Sequence, residues 1–423
     1  MSVGDDTPAV TPGGASAPRP VVPALTRTFV SLANRDFRLL SASTLASGFG
    51  QWGQQIALSW LVFLLTGSAA QLGAVAFAGG MLSLVLTPFG GTLADRYPRR
   101  TIIVIATAVG AAQSVVIAVL VFTDVVRVWH VYAFALISSL TAAANQPARQ
   151  AYVYDASSPE TLANAIAVNS IAQNVARIAG PPLAGALAAA SVGAGFAFVA
   201  LMHSLATLAT LRMSRTPRLA RGPARNPLRE IGDGFRYLAA DGRLRGLLAL
   251  NALPALLVYP YISFLPVFAS RVLGGGSFAY GLLVASIGAG STVGLLLLAF
   301  LGDFRRKGLA MLGGFLAYFV LVIGFTQSPL LLLSIGALTV AGLFHGFALA
   351  LDTTLFQLVV RDDMRGRGMA VWQMSFGLMP LGALPMGLAI ARWGPQLGTA
   401  PFMLACTLAV TGIAVRSRAL RAL

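Results

Sequence analysis

Runs of about eighteen or more residues, almost free of charge, recur along the whole chain. Each is long enough to cross a hydrocarbon layer of about 30 Å as a helix. Inside lipid a backbone finds no water, so its N–H and C=O groups must close on their own helix. The expected class is therefore an all-α polytopic membrane protein. Breaks at Gly, Pro and charged residues place twelve transmembrane helices, near 38–65, 70–94, 101–123, 128–154, 162–190, 193–211, 244–271, 278–301, 308–327, 330–358, 367–391 and 398–415. Only 10% of residues are charged, against about a quarter in soluble domains.

The few charges are placed unevenly. Net charge is +16, which on a soluble chain would suggest a nucleic-acid partner. Here the basic residues gather in alternate connections: Arg96, Arg99 and Arg100; Arg305, Arg306 and Lys307; Arg361, Arg365 and Arg367. Nine arginines fall in 212–245, and Arg416, Arg418 and Arg421 close the chain. The opposite connections hold only Arg127, Arg271 and Arg392. Short cytoplasmic loops collect Arg and Lys, so both termini and the central segment are expected in the cytoplasm of a cell whose inner membrane the chain spans. No nucleic-acid partner is expected. The lone Cys406 sits in an apolar run and permits no internal disulfide.

The two halves echo each other. "GTLADRYPRR" at 91–100 and "GDFRRKG" at 302–308 place Asp95 and Asp303 208 positions apart. Asn145, Gln150 and Asp155 lie 207 before Asp352, Gln357 and Asp362 (352 − 145). Two parallel six-helix halves account for this, with a substrate site between them near the midplane. The expected units are a disordered tail (1–33, with a short turn at 26–34), a first bundle (34–213), a linker (214–243) and a second bundle (244–423). The linker contains "NPLREIGDGFRYLAADGRLRGLL", an amphipathic basic helix suited to the inner membrane surface.

The stretch 91–100 resembles the loop 2–3 signature of the major facilitator superfamily. Gly91, Leu93, Asp95, Arg96, Arg99 and Arg100 match it, and Pro98 departs from it. Within that superfamily, "NQPARQAYVYDASSPETLANAIAVNSIAQNVARIAGPPLAG" is similar to the drug–proton antiporter branch of enterobactin-exporter-like and macrolide-efflux-like proteins. The resemblance implies a gate in which Asp95 locks helix two against helix eleven, with Arg149 as its charge partner. The plainer reading leaves the arginines as topology anchors. Helix five carries Gly180, Pro181, Pro182 and Gly185, a partial match to the antiporter signature associated with export. An ordinary proline-bent helix would also account for it.

Charged groups inside the bilayer cost about 2.5–3.5 kcal/mol each on insertion scales, which singles out Arg149, Arg177 and Asp352. His345 lies seven residues before Asp352 on nearly the same helix face. Asp352 is either a protonation site or a structural partner near the helix end. His203 reads as structural. Gln51 and Gln55 on helix one, Asn145 on helix four, Tyr259, Tyr261 and Phe264 on helix seven, and Trp372 and Gln373 on helix eleven are the expected cavity wall. Amides among aromatics suit a large, mostly apolar ligand with a few polar anchors.

"GAGSTVG" at 288–294 lacks the Gly-Lys-Ser/Thr ending of a phosphate loop. Gly290 and Gly294 form a small-residue packing face instead. Without zinc-ligand clusters or a nucleotide fold, no cofactor, metal or enzymatic activity is expected. The expected partners are protons, the bilayer and a small molecule, and the expected state is a monomer. The leading function is proton-coupled export of a drug, siderophore or secondary metabolite. The alternatives are a nutrient-importing facilitator or symporter, and a membrane sensor on the same fold.

Overall fold

The computed structural model describes residues 30–214 and 227–423. The side chains at 88, 91, 92, 95 and 227–230 are outside that description. Numbering only the membrane-length helices, the first half comprises α1 Arg35–Thr66, α2 Ala69–Arg96, α3 Arg99–Phe122, α4 Val128–Asp155, α5 Leu162–Ala190 and α6 Val192–Leu211. In the second half, α7 starts as Gly242–Leu257. It then passes through a 3-10 stretch (Tyr259–Phe264), one helical turn (Leu265–Val267) and a π-helical end (Phe268–Val272). α8 is Ser277–Leu301, α9 Lys307–Gln327 and α10 Leu331–Val359. α11 opens as Arg365–Met374, tightens to 3-10 geometry at Ser375–Leu378 and runs on to 393. α12 spans 395–416, separated from α11 by Gly394 at φ 79°, a backbone conformation that strongly favours glycine.

Among the described residues, eight segments are long and apolar enough to cross a membrane. One of them, Asp362–Arg416, holds two crossings, α11 and α12. The remaining three of the twelve are α1, α4 and α5. They fall short in apolarity because they carry amides and arginines: Gln51, Gln54 and Gln55; Asn145, Gln146 and Arg149; Asn169, Gln173 and Arg177.

Each half is a bundle. In the first, α1 packs on α5 and α6, α3 on α6, and α2 on α4; in the second, α10 packs on α8 and α9. The halves meet along two seams, α5 with α8 and α2 with α11. Small residues let the backbones touch there. A Cβ on Gly73 would lie 2.6 Å from the Ala383 carbonyl oxygen, one on Gly387 2.7 Å from that of Ala69, and one on Gly185 2.5 Å from that of Ser277. Ser277 Oγ donates to the Gly185 carbonyl across 2.9 Å, and Arg271 Nη2 donates to the Gly67 carbonyl. These contacts belong to the end carrying the α1–α2 and α7–α8 connections, so that end is sealed. Gly290 and Gly294 lie against the Thr339 and Leu343 carbonyls of α10, inside the second half.

Local chemistry sets the helix ends. Asn34 Oδ1 accepts from the Asp36 and Phe37 amides at 2.9 and 3.3 Å, capping α1. The preceding Val30–Ala33 form a 3-10 turn, held by Ser31 Oγ donating to Asn164 Oδ1 at 2.6 Å. The end of the expected disordered tail is thus ordered, and 1–29 lie outside the described residues. A helix at Pro227–Ala240 follows the undescribed part of the linker. Its Gly234 sits against Arg367 and Val371 of α11, Leu238 is fully buried, and Tyr237 Oη accepts from the Arg361 amide at 3.1 Å. One face therefore packs on the second half.

Candidate functional site

Two cavities adjoin in the interior. The first, about 260 Å³, lies wholly within the first half. Its wall includes Gln51 and Gln54 of α1, Gln113 of α3, Ser138, Asn145 and Arg149 of α4, and His203 of α6. The second, about 460 Å³, lies between the halves. It is floored by Gln51, Gln54, Gln55 and Leu58 of α1 and closed by Ser263 of α7 and by Met379, Pro380 and Ala383 of α11. Gln51, Gln54, Ser138 and Ser139 border both. Ser138 Oγ accepts from Gln54 Nε2 at 2.9 Å and from Gln113 Nε2 at 2.7 Å, which fixes both amides.

Arg149 is the charged group of this wall. It is 6% exposed. Its Nε donates to Asn145 Oδ1 and its Nη1 to Ser43 Oγ, each at 3.2 Å. Ser43 is held in turn by Thr210 Oγ1 at 2.8 Å. Arg149 Nη2 has no partner among the described protein groups.

The second half fills the equivalent space with rings. At the 207-residue offset, Gln54, Ser138, Asn145 and Arg149 correspond to Tyr261, His345, Asp352 and Phe356. Tyr259 packs edge-on to His345 with centroids 5.0 Å apart, and Tyr318 lies 4.9 Å from the same imidazole. Phe356 lies 6.4 Å from Trp372, which lies 5.4 Å from Phe376. Asp352 is fully buried among them. Trp372 Nε1 donates to its Oδ2 at 2.9 Å, Asn251 Nδ2 donates to the Trp372 carbonyl at 3.1 Å, and Asp352 Oδ1 is unpartnered. Both His345 nitrogens and the Tyr259 hydroxyl also lack partners among the described groups.

Of the residues expected on the cavity wall, Gln51, Gln55 and Asn145 are there. Tyr259, Tyr261, Phe264 and Trp372 are packed within the second half, each 5% exposed or less, and Gln373 is exposed. For the α7 residues the reason is local. Pro254, Pro260 and Pro266 interrupt α7, and its 3-10 stretch turns Tyr259, Tyr261 and Phe264 away from the positions a regular helix would give. Gln54, Gln113, Ser138, Ser263 and Met379 line the cavities although no sequence motif marks them. At the 207-residue offset Gln54 and Ser138 pair with the rings of Tyr261 and His345, a signal that Gln113, Ser263 and Met379 lack.

Arg177 is half-buried on α5 at the seam with α8. A Cβ on Gly288 would meet its Cγ at 3.3 Å and its Nε at 3.5 Å. Gly180 lies against Trp52 of α1, while Pro181 and Gly185 face α8, so the helix-five motif forms seam surface.

The loop arginines have structural partners. Arg99 pairs with Asp155 and donates to the Ala151 carbonyl at 2.9 Å, tying α3 to α4. Arg100 donates to the Thr210 and Leu211 carbonyls, where a cation suits the negative end of α6. Arg96 is exposed. Asp303 pairs with Lys307, whose hydrogen bond and charge hold its carboxyl below the usual range. The positions of Gly91 and of the Asp95 side chain lie outside the described set, so the expected lock involves one group that is not described.

A family model described as transmembrane secretion effector matches residues 26–423. The chain belongs to that family. It is thus a multi-pass membrane transporter of the major facilitator superfamily. It is 26% identical over 350 residues to the staphyloferrin A transporter of Staphylococcus aureus, covering 82% of this chain and 87% of that one. It is 25% identical over 345 residues to macrolide efflux protein A of Streptococcus pyogenes, covering 80% and 84%. Among solved structures, the nucleoside transporter NupG superposes with a TM-score of 0.72 at 15% identity, covering 90% of this chain and 99% of that one. At that identity the likeness concerns the fold.

Proposed function

We propose that this protein exports a small amphipathic compound from the cell by alternating access, in exchange for protons. The observation that carries the reading is the cavity between the halves, walled on one side by amides and hydroxyls and on the other by Met379, Pro380 and Ala383. Such a wall suits a ligand with apolar bulk and several hydrogen-bonding groups. Export as the direction is supported by the similarity to a macrolide efflux protein. In this reading the chain lies in the inner membrane as a monomer, with its Arg-rich connections and both termini inside. The seam closed by Ser277, Gly185, Arg271 and Gly67 is then the outer gate, and Asp95 belongs to the inner one.

Asp352 is the proposed proton carrier. It is fully buried, with one carboxyl oxygen bonded to Trp372 and the other without a partner among the described groups. An ionisable residue inside a membrane bundle marks a functional site by default.

The test has two stages. Cells lacking and then overproducing the protein are screened for resistance and for retained metabolites. The compound so found is then loaded into proteoliposomes carrying an internal pH dye. Counter-movement of protons with the compound is expected. Movement of both in the same direction would make the protein a symporter. Compound binding without any flux would make it a sensor.

A further inference from the structure

The start of α7 and the end of α12 border a groove of about 830 Å³, far from the two interior cavities in its lining. Its rim is basic. Arg243 and Arg245 come from α7, Arg416 from α12, and Arg418 from the short C-terminal helix Arg418–Arg421. All four are exposed. Among the described residues that line the groove, they share one acid, Asp241. That acid is already engaged. Its Oδ1 accepts from the Arg243 and Leu244 amides at 2.7 and 3.4 Å, capping α7, and its Oδ2 lies 3.5 Å from Arg243 Nη2. Other cations of this face have carboxylates of their own: Lys307 with Asp303, Arg361 with Asp363, and Arg365 with Asp362. Topology asks for arginines on this side. It does not ask for four around one hollow.

Below the rim the groove is apolar. It passes Ile413, Gly412 and Ala409 and reaches Leu408, which is 70% exposed. Arg416 and Leu408 are separated by about 12 Å along the helix, at 1.5 Å per residue. The groove therefore runs from the level of the arginines into the hydrocarbon. Small residues keep it open: a Cβ on Gly242 or Gly412 would meet nothing within 4 Å. The rim is also held in place. Leu420 is fully buried, with its side chain against Gly246 of α7 and its carbonyl against Gly308 of α9. Ser417 Oγ accepts from the Leu420 amide at 3.2 Å. The C-terminal helix is thus docked on the bundle, which fixes the backbone at Arg418.

We propose that this groove is a site for an anionic phospholipid of the leaflet on the arginine-rich side. Its phosphate lies among the four guanidiniums and an acyl chain runs along Ile413 and Leu408. Guanidinium pairs with phosphate oxygens through parallel N–H donors. Basic pockets between membrane helices hold such headgroups. Rim and wall together select the occupant. A soluble anion would use the rim and leave the apolar wall empty. A zwitterionic lipid would fill the wall but bring a cation of its own to the rim. The site goes beyond the transport reading, since it takes a component of the bilayer and not the cargo.

Native mass spectrometry of the delipidated full-length protein in detergent tests this. The probes are dioleoyl phosphatidylglycerol, dioleoyl phosphatidylethanolamine and inorganic phosphate. Phosphatidylglycerol should bind about tenfold or more tightly than phosphatidylethanolamine, a difference near 1.4 kcal/mol. Arg416→Gln with Arg418→Gln should lose about tenfold. Gly412→Leu, which fills the groove and leaves every charge in place, should lose it as well. Arg361→Gln with Arg365→Gln removes the same charge elsewhere on this face and should bind as the wild type does. Equal binding of the two lipids, or wild-type binding by the Arg416/Arg418 pair or by Gly412→Leu, would overturn the site. An equal loss in the Arg361/Arg365 pair would reduce it to diffuse attraction. Displacement of the lipid by inorganic phosphate at constant ionic strength would make it a free-anion site and overturn it too. Export is read as flux, so none of these failures bears on it.

Discussion

Trp372 Nε1 of α11 and Asp352 Oδ2 of α10 are joined by a 2.9 Å hydrogen bond, and the other carboxyl oxygen has no described partner. The acid is held in place on one side and left open on the other. α11 also forms one of the two seams between the halves, through Ala383 and Gly387. A change at the carboxyl is therefore placed to be felt at that seam.

Asp352→Asn keeps an acceptor for Trp372 and removes the titrating proton. Transport driven by a pH gradient should fall to the background of empty vesicles, while exchange of labelled for unlabelled compound across the membrane persists. Wild-type gradient-driven flux in that variant would take Asp352 out of coupling and leave it as a packing group.

Trp372→Phe keeps the ring between Phe356 and Phe376 and deletes the donor. A hydrogen bond to a charged group contributes about 1.5–3 kcal/mol. The pH–flux profile should therefore move along the pH axis while the maximal rate changes less. A profile that superposes on the wild type would mean the bond has no part in the titration.

Arg177→Ala should slow turnover by about tenfold or more, with Arg177→Lys in between. The guanidinium lies against Gly288 across the seam, so its loss removes a charge from the contact between halves. Flux measured in proteoliposomes at saturating compound reports it, and full activity of the alanine variant would make the residue a bystander.

The glycine seams offer a conformational test. Gly185→Val would drive a branched side chain into the Ser277 carbonyl, since even a Cβ at that position would lie only 2.5 Å from its oxygen. About 1.4 kcal/mol of strain shifts the ratio of the two end-states tenfold. Spin labels near Gly67 and Arg271 should therefore show a longer distance population than in the wild type. Asp95→Asn should act at the opposite end, separating labels on the Arg96 and Arg365 ends of α2 and α11 and slowing turnover more than it weakens binding. Unchanged distances together with unchanged turnover would reduce the 91–100 stretch to a topology anchor.

Asp155→Asn breaks the ion pair with Arg99, whose side chains are 10% and 14% exposed. Breaking a buried pair costs about 3–5 kcal/mol and an exposed one about 0–1. A loss between these limits should lower the melting temperature in detergent, and Arg99→Leu with Asp155→Leu should recover most of it. An unshifted melt of the single variant would place the pair among surface contacts.

The helices are legible in the sequence because lipid imposes a simple rule on long apolar runs, and the halves because Asn145, Gln150 and Asp155 find counterparts 207 residues on. The hollow is harder to see. Ser138 and Gln113 sit next to Ser139 and Ser114 in otherwise apolar runs, where hydroxyls commonly bond back to their own helix. Only packing joins Gln113 of α3 to Ser138 of α4. Helical periodicity puts Tyr261 and Phe264 on the wall, and the prolines of α7 turn them inward by breaking that period. Arg99 reads as a topology anchor because Asp155, its partner, is 56 positions away at the end of another helix.

The polarity of α1, α4 and α5 also bears on how the chain enters the bilayer. A helix is partitioned into lipid as it leaves the insertion machinery, one segment at a time, and polar residues near its centre weigh against that step. α1 emerges first, with three glutamines near its middle. α4 and α5 follow with buried or half-buried arginines. These three segments are retained most readily when α2, α3 and α6 are there to enclose their wet faces. The first half therefore gains more than the second from assembling as a unit during synthesis. The second half, whose first four spans are each apolar enough to enter alone, can be laid down one helix after another.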